Sequence, residues 1–435
     1  MASRSCSPKP ATLDTKKVMM KILIVGSGAR EHAIAWKLAQ NSGVEKVFFS
    51  SHNGGATGKL ENLNLPNNDT QTIRTWLASH EVDLVIIGPE NPLNDGIVDQ
   101  LTADGVKVFG PQKAAARLEG SKAFAKAFMQ KYDIPTASYK KCESLSSAQD
   151  ALPEFGYPVV IKADGLCAGK GVYICQDESQ AHQALHEIFV DEVFSSQGAS
   201  VVIEQYLQGF EASLLCFVSG TKIYPFDTAM DYKKIYEGDQ GPNTGGVGCI
   251  SPNPYWTPAL KGQSDAILRK IERGLEAENL GYAGILFIGY LVQDGEIYIL
   301  EFNTRFGDPE TQVLLPRLRS DLLENIQQAL AGEPVQLAFE DNVCMTTILV
   351  SDGYPKKHQT GFEITGLDTL PDDIMVFHNG TKQKDGKLLS AGGRVLSVTA
   401  KRDALSDARQ AVYESIKKIK FDNMRYRKDI GTVSR

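Results

Sequence analysis

A short run around residue 300 has the densest set of groups able to do chemistry in this sequence. The run ILEFNTR places Glu301 and Asn303 two residues apart. On a β-strand, the period of two sends both side chains to one face, while Leu300 and Phe302 pack the other. A carboxylate and an amide oxygen suit Mg²⁺, which takes one or two protein ligands beside phosphate and water oxygens. If the strand continues, Arg305 adds a planar phosphate-binding fork; a purely structural polar face is the alternative.

A glycine-rich loop follows a strand-like run that ends at Lys162. The loop, ADGLCAGKG, carries Lys170 and three glycines. It is not a Walker loop, because Asp164 stands five positions before Gly169 and Gly171 replaces the metal-binding Ser or Thr. A flexible cationic loop suits a mobile cover over a triphosphate, and a structural hairpin is the alternative.

The segment from Glu204 to Glu211 links two strand-like runs and has an acid at each end. Its backbone could read an adenine edge, and Glu211 could hold ribose hydroxyls. The pattern is weak, because acids at such positions are by default solvated surface groups.

A second glycine-rich segment, GPNTGGVG at 241–248, begins ten residues after Asp231. It is too rich in glycine to form a regular element, and its amides could bind a carboxylate. Asp231 could bind an ammonium group, so the two features together describe a site for a small zwitterion. A surface loop is the alternative.

The folded part opens with a strand, a tight turn and a helix. Lys21 to Val25 is a β-branched run, followed by Gly26-Ser-Gly28 and a helical pattern from Glu31. The turn is similar to a dinucleotide fingerprint, but Glu31 stands where a third glycine is required and would crowd the helix against the strand. A nicotinamide site is therefore disfavoured. The turn and helix N-terminus still suit one phosphate group, with a plain tight turn as the alternative.

The wider pattern predicts an α/β protein of several domains. Alternating strands and helices up to Phe109 predict an N-terminal doubly wound parallel sheet. A two-lobed core follows, and a separate small α/β domain is expected at the C-terminal end. The predicted divisions are an extension or tag at 1–19, an N-terminal domain at 20–120, a lid subdomain at 121–203, a core subdomain at 204–333 and a C-terminal domain at 334–435. The main individual elements are helices at 94–103, 258–277 and 404–419 and strands at 284–292, 296–302, 345–350 and 394–399.

Composition excludes several classes of protein. The 435 residues are 42% hydrophobic and 23% charged, which is ordinary for a folded chain. A net charge of −7 argues against nucleic acid as a partner. No apolar run is long enough for a membrane span, so no membrane partner is expected. Seven cysteines without a CxxC pair indicate neither a disulfide framework nor a zinc site, and they favour the cytoplasm.

Residues 1–19 lack the apolar segment of a secretory signal. We interpret them as a disordered extension, a tag remnant or an alternative start, with an organelle transit peptide as a weaker alternative.

Eight short blocks along the chain carry a family resemblance. They are GSGAREHA (26–33), GPENPL (88–93), EGSKAFAK (119–126), VIKADGLCAGKGV (160–172), GPNTGGVG (241–248), LEFNTRFGDPET (300–311), AGGRVL (391–396) and RKDIG (427–431). In this order they resemble the phosphoribosylamine-glycine ligase family, also called glycinamide ribonucleotide synthetases, of the ATP-grasp superfamily. The resemblance covers Met20 to about Val433.

The resemblance implies a set of site residues. For ATP they are Lys122, Lys162, Lys170, Glu204, Gln205, Leu207 and Glu211. For Mg²⁺ or Mn²⁺ they are Glu301 and Asn303. For the two substrates they are Gly28, Glu90 and Arg305 toward phosphoribosylamine and Asp231, Asn243, Thr244 and Gly245 toward glycine. The expected catalytic residues are Lys162, Arg305 and Asp231.

The sequence departs from the family pattern at four places, two of which, Gly28-Ala-Arg-Glu for GGRE and Gly246-Val-Gly248 for GMG, are small steric changes. Where the family usually has Asp-His-Lys-Arg, this chain has Asp231-Tyr232-Lys233-Lys234, and a PGN turn appears as Ser51-His52-Asn53. Lysine keeps the charge of arginine but loses its bidentate fork, so the role of Lys234 is open. The fused domains of some relatives are not expected.

The implied reaction joins glycine to 5-phosphoribosylamine with ATP, through a glycyl phosphate, in a monomer or weak homodimer. Two alternatives remain. One is another ATP-grasp ligase, such as a carboxylase or a formyl-transferring enzyme, and the GPNTGGVG block argues against it. The other is a non-enzymatic nucleotide sensor, which the metal pair and the loop lysine disfavour.

Overall fold

The computed structural model describes residues 19–65, 68–167, 171–194 and 199–432. Their strands form sheets of five, four and nine strands and two short ribbons. Lys170 and residues 1–18 of the predicted extension lie outside the described residues. No helix in the described part of the chain is long and apolar enough to cross a bilayer.

The first sheet is entirely parallel, with the strand order β3-β2-β1-β4-β5. Its strands are β1 (Met20–Val25), β2 (Val44–Phe49), β3 (Leu60–Asn62), β4 (Leu84–Ile87) and β5 (Val108–Phe109). Its helices are α1 (Ala29–Leu38), α2 (Thr70–Leu77), α3 (Glu90–Asp95), α4 (Ile97–Ala103) and α5 (Lys113–Gly120). Along β1, Ile22 and Ile24 pack into one core cluster while Leu23 and Val25 pack into another. Both faces are therefore covered, which confirms the predicted doubly wound sheet.

One predicted helix of this region is wrong in its extent. The helix expected at 94–103 is two helices, α3 and α4, which meet at Gly96. Gly96 has φ +88°, a left-handed conformation that ends α3 and that glycine adopts without steric cost.

The second sheet is antiparallel, with the strand order β6-β9-β7-β8. Its strands are β6 (Tyr139–Cys142), β7 (Val159–Ala163), β8 (Val172–Cys175) and β9 (Val201–Gln205). Its helices are α6 (Lys122–Lys131), α7 (Leu145–Ala151) and α8 (Glu178–Phe189). Helix α6 begins where the Ser121 hydroxyl caps the Phe124 amide at 3.1 Å, which fixes Lys122 in its first turn.

The third sheet contains most of the remaining chain. Its path is β16-β15-β10-β11-β14-β17-β21-β18, and β22 pairs with β17. The elements of its first half are β10 (Phe210–Gly220), β11 (Lys222–Asp231), β14 (Gly248–Ser251), α9 (Pro258–Ala277), β15 (Tyr282–Gln293), β16 (Glu296–Asn303), α10 (Thr311–Arg317) and α11 (Leu322–Leu330). Strands β12 (Lys234–Tyr236) and β13 (Gln240–Asn243) form a ribbon beside it.

The C-terminal elements continue the same sheet. They are β17 (Val343–Ser351), β18 (Ile374–His378), β21 (Arg394–Arg402), α12 (Leu405–Ile416) and β22 (Met424–Arg425), with β19 (Thr381–Lys384) and β20 (Lys387–Ser390) as a ribbon. The short strand β14 pairs with β11 on one side and β17 on the other. Hydrogen bonding is therefore continuous across the predicted division at 333/334, although α12 and its strands have their own apolar core.

Candidate active site

The predicted metal pair lies at the end of β16. Glu301 and Asn303 are both partly buried, and Asn303 Oδ1 accepts a hydrogen bond from Arg305 Nη2 at 3.0 Å. The strand ends at Asn303, but Arg305 reaches back to the same side.

The other face of β16 is not as expected. A β-bulge shifts the pairing so that Gly289 opposes Glu301 while Tyr290 opposes Ile299, which leaves Leu300 unpaired. Phe302 packs in the core as predicted, but Leu300 lies in a small apolar cluster with Leu207. The prediction for Leu300 was wrong because strict alternation does not hold across a bulge.

Four cations act on Glu301 through their charge, although none forms an ion pair with it among the described residues. Burial alone would raise the pKa of Glu301, but the charges of Lys233, Lys162, Lys122 and Arg305 hold that pKa below its ordinary value. Three of these cations pair with other carboxylates: Lys233 with Glu211, Lys162 with Glu204, and Arg305 with Glu90 and Glu119. Lys122 has no carboxylate partner among the described ion pairs and donates to the Gly165 carbonyl, so its charge is the one most available to a phosphate.

Two of the cations belong to elements of the second sheet. Lys122 Nζ donates to the Gly165 carbonyl at 2.6 Å, at the start of the glycine-rich loop. Lys162, on β7, donates to the Leu300 carbonyl at 3.2 Å. Lys162 therefore links the second sheet to the metal-pair strand of the third.

Glu204 was expected to line the adenine, but its side chain is surrounded by two lysines. Its buried carboxylate pairs with Lys162 Nζ and with Lys126 Nζ, each at 2.9 Å. The side chain is committed to this triad and is therefore not free to bind an adenine. Gln205 is exposed, and Leu207 is buried against Leu300 and three other apolar side chains.

Glu211, the expected ribose ligand, is exposed at the start of β10. Its Oε2 lies 2.6 Å from Lys233 Nζ. Burial alone would lower the pKa of Lys233, but Glu211, Glu301 and Asp231 together raise it. Lys233 thus stands between the expected nucleotide and amino-acid positions as a permanent cation.

Asp231 ends β11 with a buried oxygen that has no partner. Asp231 Oδ1 makes no hydrogen bond to any described residue. Burial and the nearby Glu310 carboxylate raise the pKa of Asp231 well above its ordinary value, against the opposing charge of Lys233. An unpaired buried carboxylate oxygen is costly unless a ligand donates to it.

The segment after Asp231 is partly regular, contrary to the prediction. Residues 240–243 form β13, which pairs with β12 through Asn243 and Lys234, and only the following residues form a loop. Thr244 donates from both its amide and its hydroxyl to the Lys233 carbonyl, each at 2.8 Å. Asn243 and Gly245 are exposed. The high glycine content did not prevent a two-stranded ribbon, because Lys234 and Tyr236 of β12 pair with Asn243 and Gln240, which are not glycines.

The N-terminal residues approach the site from the first sheet. The Gly28 amide donates to Glu31 Oε2 at 2.7 Å, so this amide is occupied within its own helix cap. Glu31 does crowd the turn as expected, since a β-carbon on Gly88 would lie 2.1 Å from its Oε1. The turn at Gly28 therefore offers fewer amides to a phosphate than the sequence suggests.

Arg305 joins the N-terminal residues to the metal pair. Its Nε lies 3.3 Å from Glu90 Oε2 and its Nη2 lies 3.0 Å from Glu119 Oε1. Burial alone would raise the pKa of Glu90, but Arg305 and Arg30 hold it below its ordinary value. Burial raises the pKa of Glu119 in spite of Arg305.

Several residues of this arrangement were not predicted. They are Arg30, Glu119, Lys126, Lys233, Glu310 and Arg394. A signal existed for Lys126, because it lies four residues after Lys122 and so on the same helix face. Glu119 and Arg394 belong to blocks that carry the family resemblance, but nothing in one sequence shows where they point.

The residues present fit ATP with a divalent cation. Glu301 and Asn303 supply two hard oxygen atoms, as Mg²⁺ or Mn²⁺ requires. Among residues 19–65, 68–167, 171–194 and 199–432, no cluster of three or more His, Cys, Asp or Glu side chains forms a complete metal cage. Magnesium held mainly by phosphate oxygens needs no such cage. Lys170 lies outside the described residues, so its expected role stays a prediction.

A four-stranded antiparallel sheet joined to a larger sheet by Lys162, with Lys122 and Lys162 acting on the carboxylate of Glu301, is typical of the ATP-grasp class. Three models of the phosphoribosylglycinamide synthetase family match: the N domain at residues 20–119, the ATP-grasp domain at 120–311 and the C domain at 344–433. The chain belongs to the phosphoribosylglycinamide synthetase family.

Relatives and solved structures agree with this assignment. A phosphoribosylamine–glycine ligase of Clostridium acetobutylicum is 44% identical over 417 residues, which cover 95% of this chain and 99% of the relative. The crystal structure of phosphoribosylamine–glycine ligase from Thermotoga maritima superposes with a TM-score of 0.84 at 33% identity, covering 94% of this chain and 100% of that one. The biotin carboxylase domain of Hydrogenobacter thermophilus 2-oxoglutarate carboxylase, in complex with MgADP, shares the fold at 16% identity, with a TM-score of 0.74 over 94% of this chain and 92% of that chain.

Proposed function

We propose that this chain joins glycine to 5-phosphoribosylamine, with ATP and Mg²⁺ or Mn²⁺, to give glycinamide ribonucleotide, ADP and phosphate in purine biosynthesis. The observation that carries the proposal is the convergence of four cations on Glu301 beside Asn303. Family membership supplies the substrates.

The reaction must first activate a poor electrophile. A carboxylate oxygen of glycine attacks the γ-phosphorus of ATP, and the bond from that phosphorus to the β-bridging oxygen breaks, so ADP leaves and glycyl phosphate forms. Glu301 and Asn303 would hold the metal ion, which would supply charge neutralisation at the transferring phosphoryl group. Lys122 and Lys162 hold the phosphates in line, and Arg305 adds a fork on the same side.

The second step forms the carbon–nitrogen bond. The amine of phosphoribosylamine attacks the acyl carbon, the bond from that carbon to the phosphate oxygen breaks, and the nitrogen loses a proton. We assign Glu90, Arg305 and the Gly28 turn to the phosphoribosylamine side. Because no side chain acts as a nucleophile, the acceleration comes from positioning two reactants and from charge complementarity.

The amino-acid site lies at Asp231 and residues 243–245. The unpaired Asp231 oxygen supports ammonium binding at this point. The amides of Thr244, Gly245 and Gly246 already donate within the protein, so the loop contributes the shape of the site and not amide donors for a carboxylate. Asp231 is therefore assigned to hold and orient glycine while Lys162 and Arg305 act on the phosphoryl group.

We also place the enzyme in the cytoplasm, as a monomer or weak homodimer that binds neither nucleic acid nor membrane. Free thiols at all six described cysteines support a reducing compartment. Six large apolar side chains are exposed in the described part of the chain, which supports the absence of a large permanent interface.

An ADP-release assay tests the function. ADP should form only when glycine and freshly made phosphoribosylamine are both present with MgATP, and alanine, serine or β-alanine should replace glycine poorly. Release of ADP with bicarbonate or formate in place of glycine would assign the chain to another ATP-grasp ligase. ATP binding with no turnover under any combination would favour a nucleotide sensor.

A further inference from the structure

The AGGRVL block contributes an arginine to the amino-acid site from the C-terminal half of the chain. Arg394, the first residue of β21, is mostly buried and forms an ion pair with Asp308, Nη2 to Oδ2 at 2.8 Å. Its Nη1 also donates to the carbonyls of Asp308, Gly245 and Gly246. One guanidinium therefore ties the loop after β13 to the loop after β16.

Tyr354, also in the C-terminal half, binds the same loop at the amide of Gly245, whereas Arg394 binds the carbonyl of Gly245. The Gly245 amide donates to the Tyr354 hydroxyl at 3.1 Å. The Gly245 amide and carbonyl are thus both bound by residues more than one hundred positions further along the chain. This loop is held from outside and not by its own turn alone.

The backbone of Gly245 and Gly246, which these two residues hold, lies against Asp231. A β-carbon on Gly246, at φ +96°, would lie 2.4 Å from Pro309 Cδ and 2.6 Å from Asp231 Oδ1. A β-carbon on Gly245 would lie 3.1 Å from Arg394 Cζ. The backbone is packed tightly between these groups, and it is next to the one Asp231 oxygen that lacks a partner.

We propose that Arg394 is a positioning residue for amino-acid selection, which holds the Gly245–Gly246 backbone against Asp231 so that a bound amino acid has no room for a β-carbon. The proposal rests on the proposed function, because it takes Asp231 as the ammonium site. Glycine is selected by the absence of a side chain, so selection depends on the position of this backbone wall. If the hydrogen bonds of Arg394 are removed, the Gly245–Gly246 backbone can move away from Asp231, and a larger amino acid then fits.

The chemistry of the clamp requires a guanidinium. Arg394 reaches four acceptors on two loops through a planar fork, whereas a lysine ammonium is a point charge that cannot span the same acceptors. Arg394→Lys should therefore restore part of the function lost in Arg394→Met.

The test compares variants for both substrates. We expect Arg394→Met to raise the KM for glycine about 10-fold or more and to lower the glycine-over-alanine ratio of kcat/KM by a similar factor, with the KM for MgATP changed by less than about 2-fold. Tyr354→Phe should shift the same two quantities in the same direction by less, since it removes one hydrogen bond. Arg394→Lys should fall between Arg394→Met and wild type.

Arg402→Met is the matched control. Arg402 lies at the other end of β21 and forms an ion pair with Asp373 at 2.6 Å, so it tests loss of an arginine ion pair from the same strand. It should keep wild-type values for glycine, alanine and MgATP.

Three results overturn the proposal. If Arg394→Met and Tyr354→Phe, both folded, keep the wild-type preference for glycine, the clamp does not set selectivity. If Arg394→Met raises the KM for MgATP as much as that for glycine, the arginine has a general structural role. If wild type and Arg402→Met show no glycine-dependent ADP release, the proposed function fails and this proposal falls with it.

Discussion

Glu301 is the residue on which the phosphoryl chemistry depends most. It is a partly buried carboxylate whose pKa four cations hold below its ordinary value, on the strand that also carries Asn303. We expect Glu301→Ala to lower kcat on the order of 100-fold or more, because one metal ligand and its charge are removed at the transferring phosphate. Titration of activity with Mg²⁺ should show a raised metal requirement.

Glu296→Ala is the control for this prediction. Glu296 begins the same strand but is exposed and away from the cations. Its variant should match wild type in kcat and metal requirement. Near-normal turnover of a folded Glu301→Ala variant would refute the assignment of Glu301 as a metal ligand.

Asp231 gives a prediction about pH. Burial raises its pKa, so protonation at falling pH removes the charge that pairs with the ammonium of glycine. The KM for glycine should therefore rise as the pH falls through this raised pKa. Asp231→Asn should raise the KM for glycine at high pH, lose its pH dependence and leave the KM for MgATP nearly unchanged.

Asp294→Asn is the matched exchange at an exposed turn. Asp294 has φ +53°, which asparagine also adopts, so the variant should retain both the KM for glycine and its pH dependence. A glycine response in Asp231→Asn equal to that of wild type, or a loss confined to MgATP, would contradict the role of Asp231.

At the residue scale, sequence spacing predicted the position of side chains that share one regular strand, and it missed contacts that depend on a neighbouring strand or helix. The two-residue spacing of Glu301 and Asn303 was sufficient to place both at the end of one strand. Leu300 was placed on the wrong side, because a bulge depends on the partner strand and not on local sequence. The Glu204 side chain pairs with Lys126, a contact between a strand and a helix that spacing along the chain cannot reveal.

At the element scale, helix α6 supports strand β9 through one buried ion pair. Lys126 Nζ contacts Glu204 at 2.9 Å and Thr136 Oγ1 at 2.8 Å. Thr136 in turn donates to the Ile299 carbonyl of β16 at 2.7 Å. Burial lowers the pKa of Lys126 to about 8, although Glu204 opposes the shift.

Lys126→Met should weaken nucleotide binding indirectly, through Glu204 and Lys162, because Lys126 itself is not expected to contact the nucleotide. Loss of one partner leaves Glu204 to pair with Lys162 alone, which draws that lysine from the phosphates. We expect the KM for MgATP to rise about 10-fold. The free energy of unfolding should fall by less than the roughly 3–5 kcal/mol seen when a buried charge loses its only partner, because Glu204 keeps Lys162. Urea unfolding and MgATP titration measure the two effects.

Lys131→Met is the control on the same helix. Lys131 is exposed and pairs with Glu278 at the surface. Its loss should leave both quantities close to wild type. A Lys126→Met variant with the wild-type KM for MgATP would show that Glu204 needs no second lysine.

Element boundaries were predictable where the local signal was strong. Helix α9 has the predicted bounds, because Thr257 caps it and Pro258 stands at its first position. The break at Gly96 was missed, since an isolated glycine does not by itself end a helical pattern.

At the scale of the whole molecule, two buried histidines join the first sheet to the C-terminal strands. His32 of α1 accepts a hydrogen bond at Nδ1 from the His378 amide of β18 at 3.0 Å. The rings lie 5.4 Å apart, and His32 also packs against Phe49 and Phe377. Burial, with the second histidine adding to it, lowers the pKa of His32 to about 3, and burial lowers that of His378 to about 4.

These two histidines predict an acid-sensitive fold. Between about pH 4 and 6.5 these two histidines bind protons in the unfolded chain but not in the folded chain. The stability that they contribute is therefore fully present above pH 6.5 and is lost as the pH falls below it. Each histidine contributes about 1.4 kcal/mol per pH unit in that window. Urea unfolding at several pH values measures the slope.

His378→Asn should reduce that slope by about one proton, whatever its effect on stability at pH 8. The exposed His182→Asn variant should leave the slope unchanged. An unchanged slope in His378→Asn would contradict the burial of a neutral histidine at this contact.

The overall organisation was only partly predictable. The parallel first sheet follows from continuous apolar strands alternating with helices. Continuity of the third sheet into the C-terminal strands was missed, because it depends on β14, four residues that pair with two strands distant in sequence.

The most direct test of carboxylate activation follows the carboxylate oxygens of glycine. With glycine labelled by ¹⁸O at both oxygens, MgATP and phosphoribosylamine, each ADP released should be matched by one phosphate carrying one ¹⁸O and one glycinamide ribonucleotide keeping the other. Phosphate without label, or AMP and pyrophosphate in place of ADP and phosphate, would contradict carboxylate activation by γ-phosphoryl transfer.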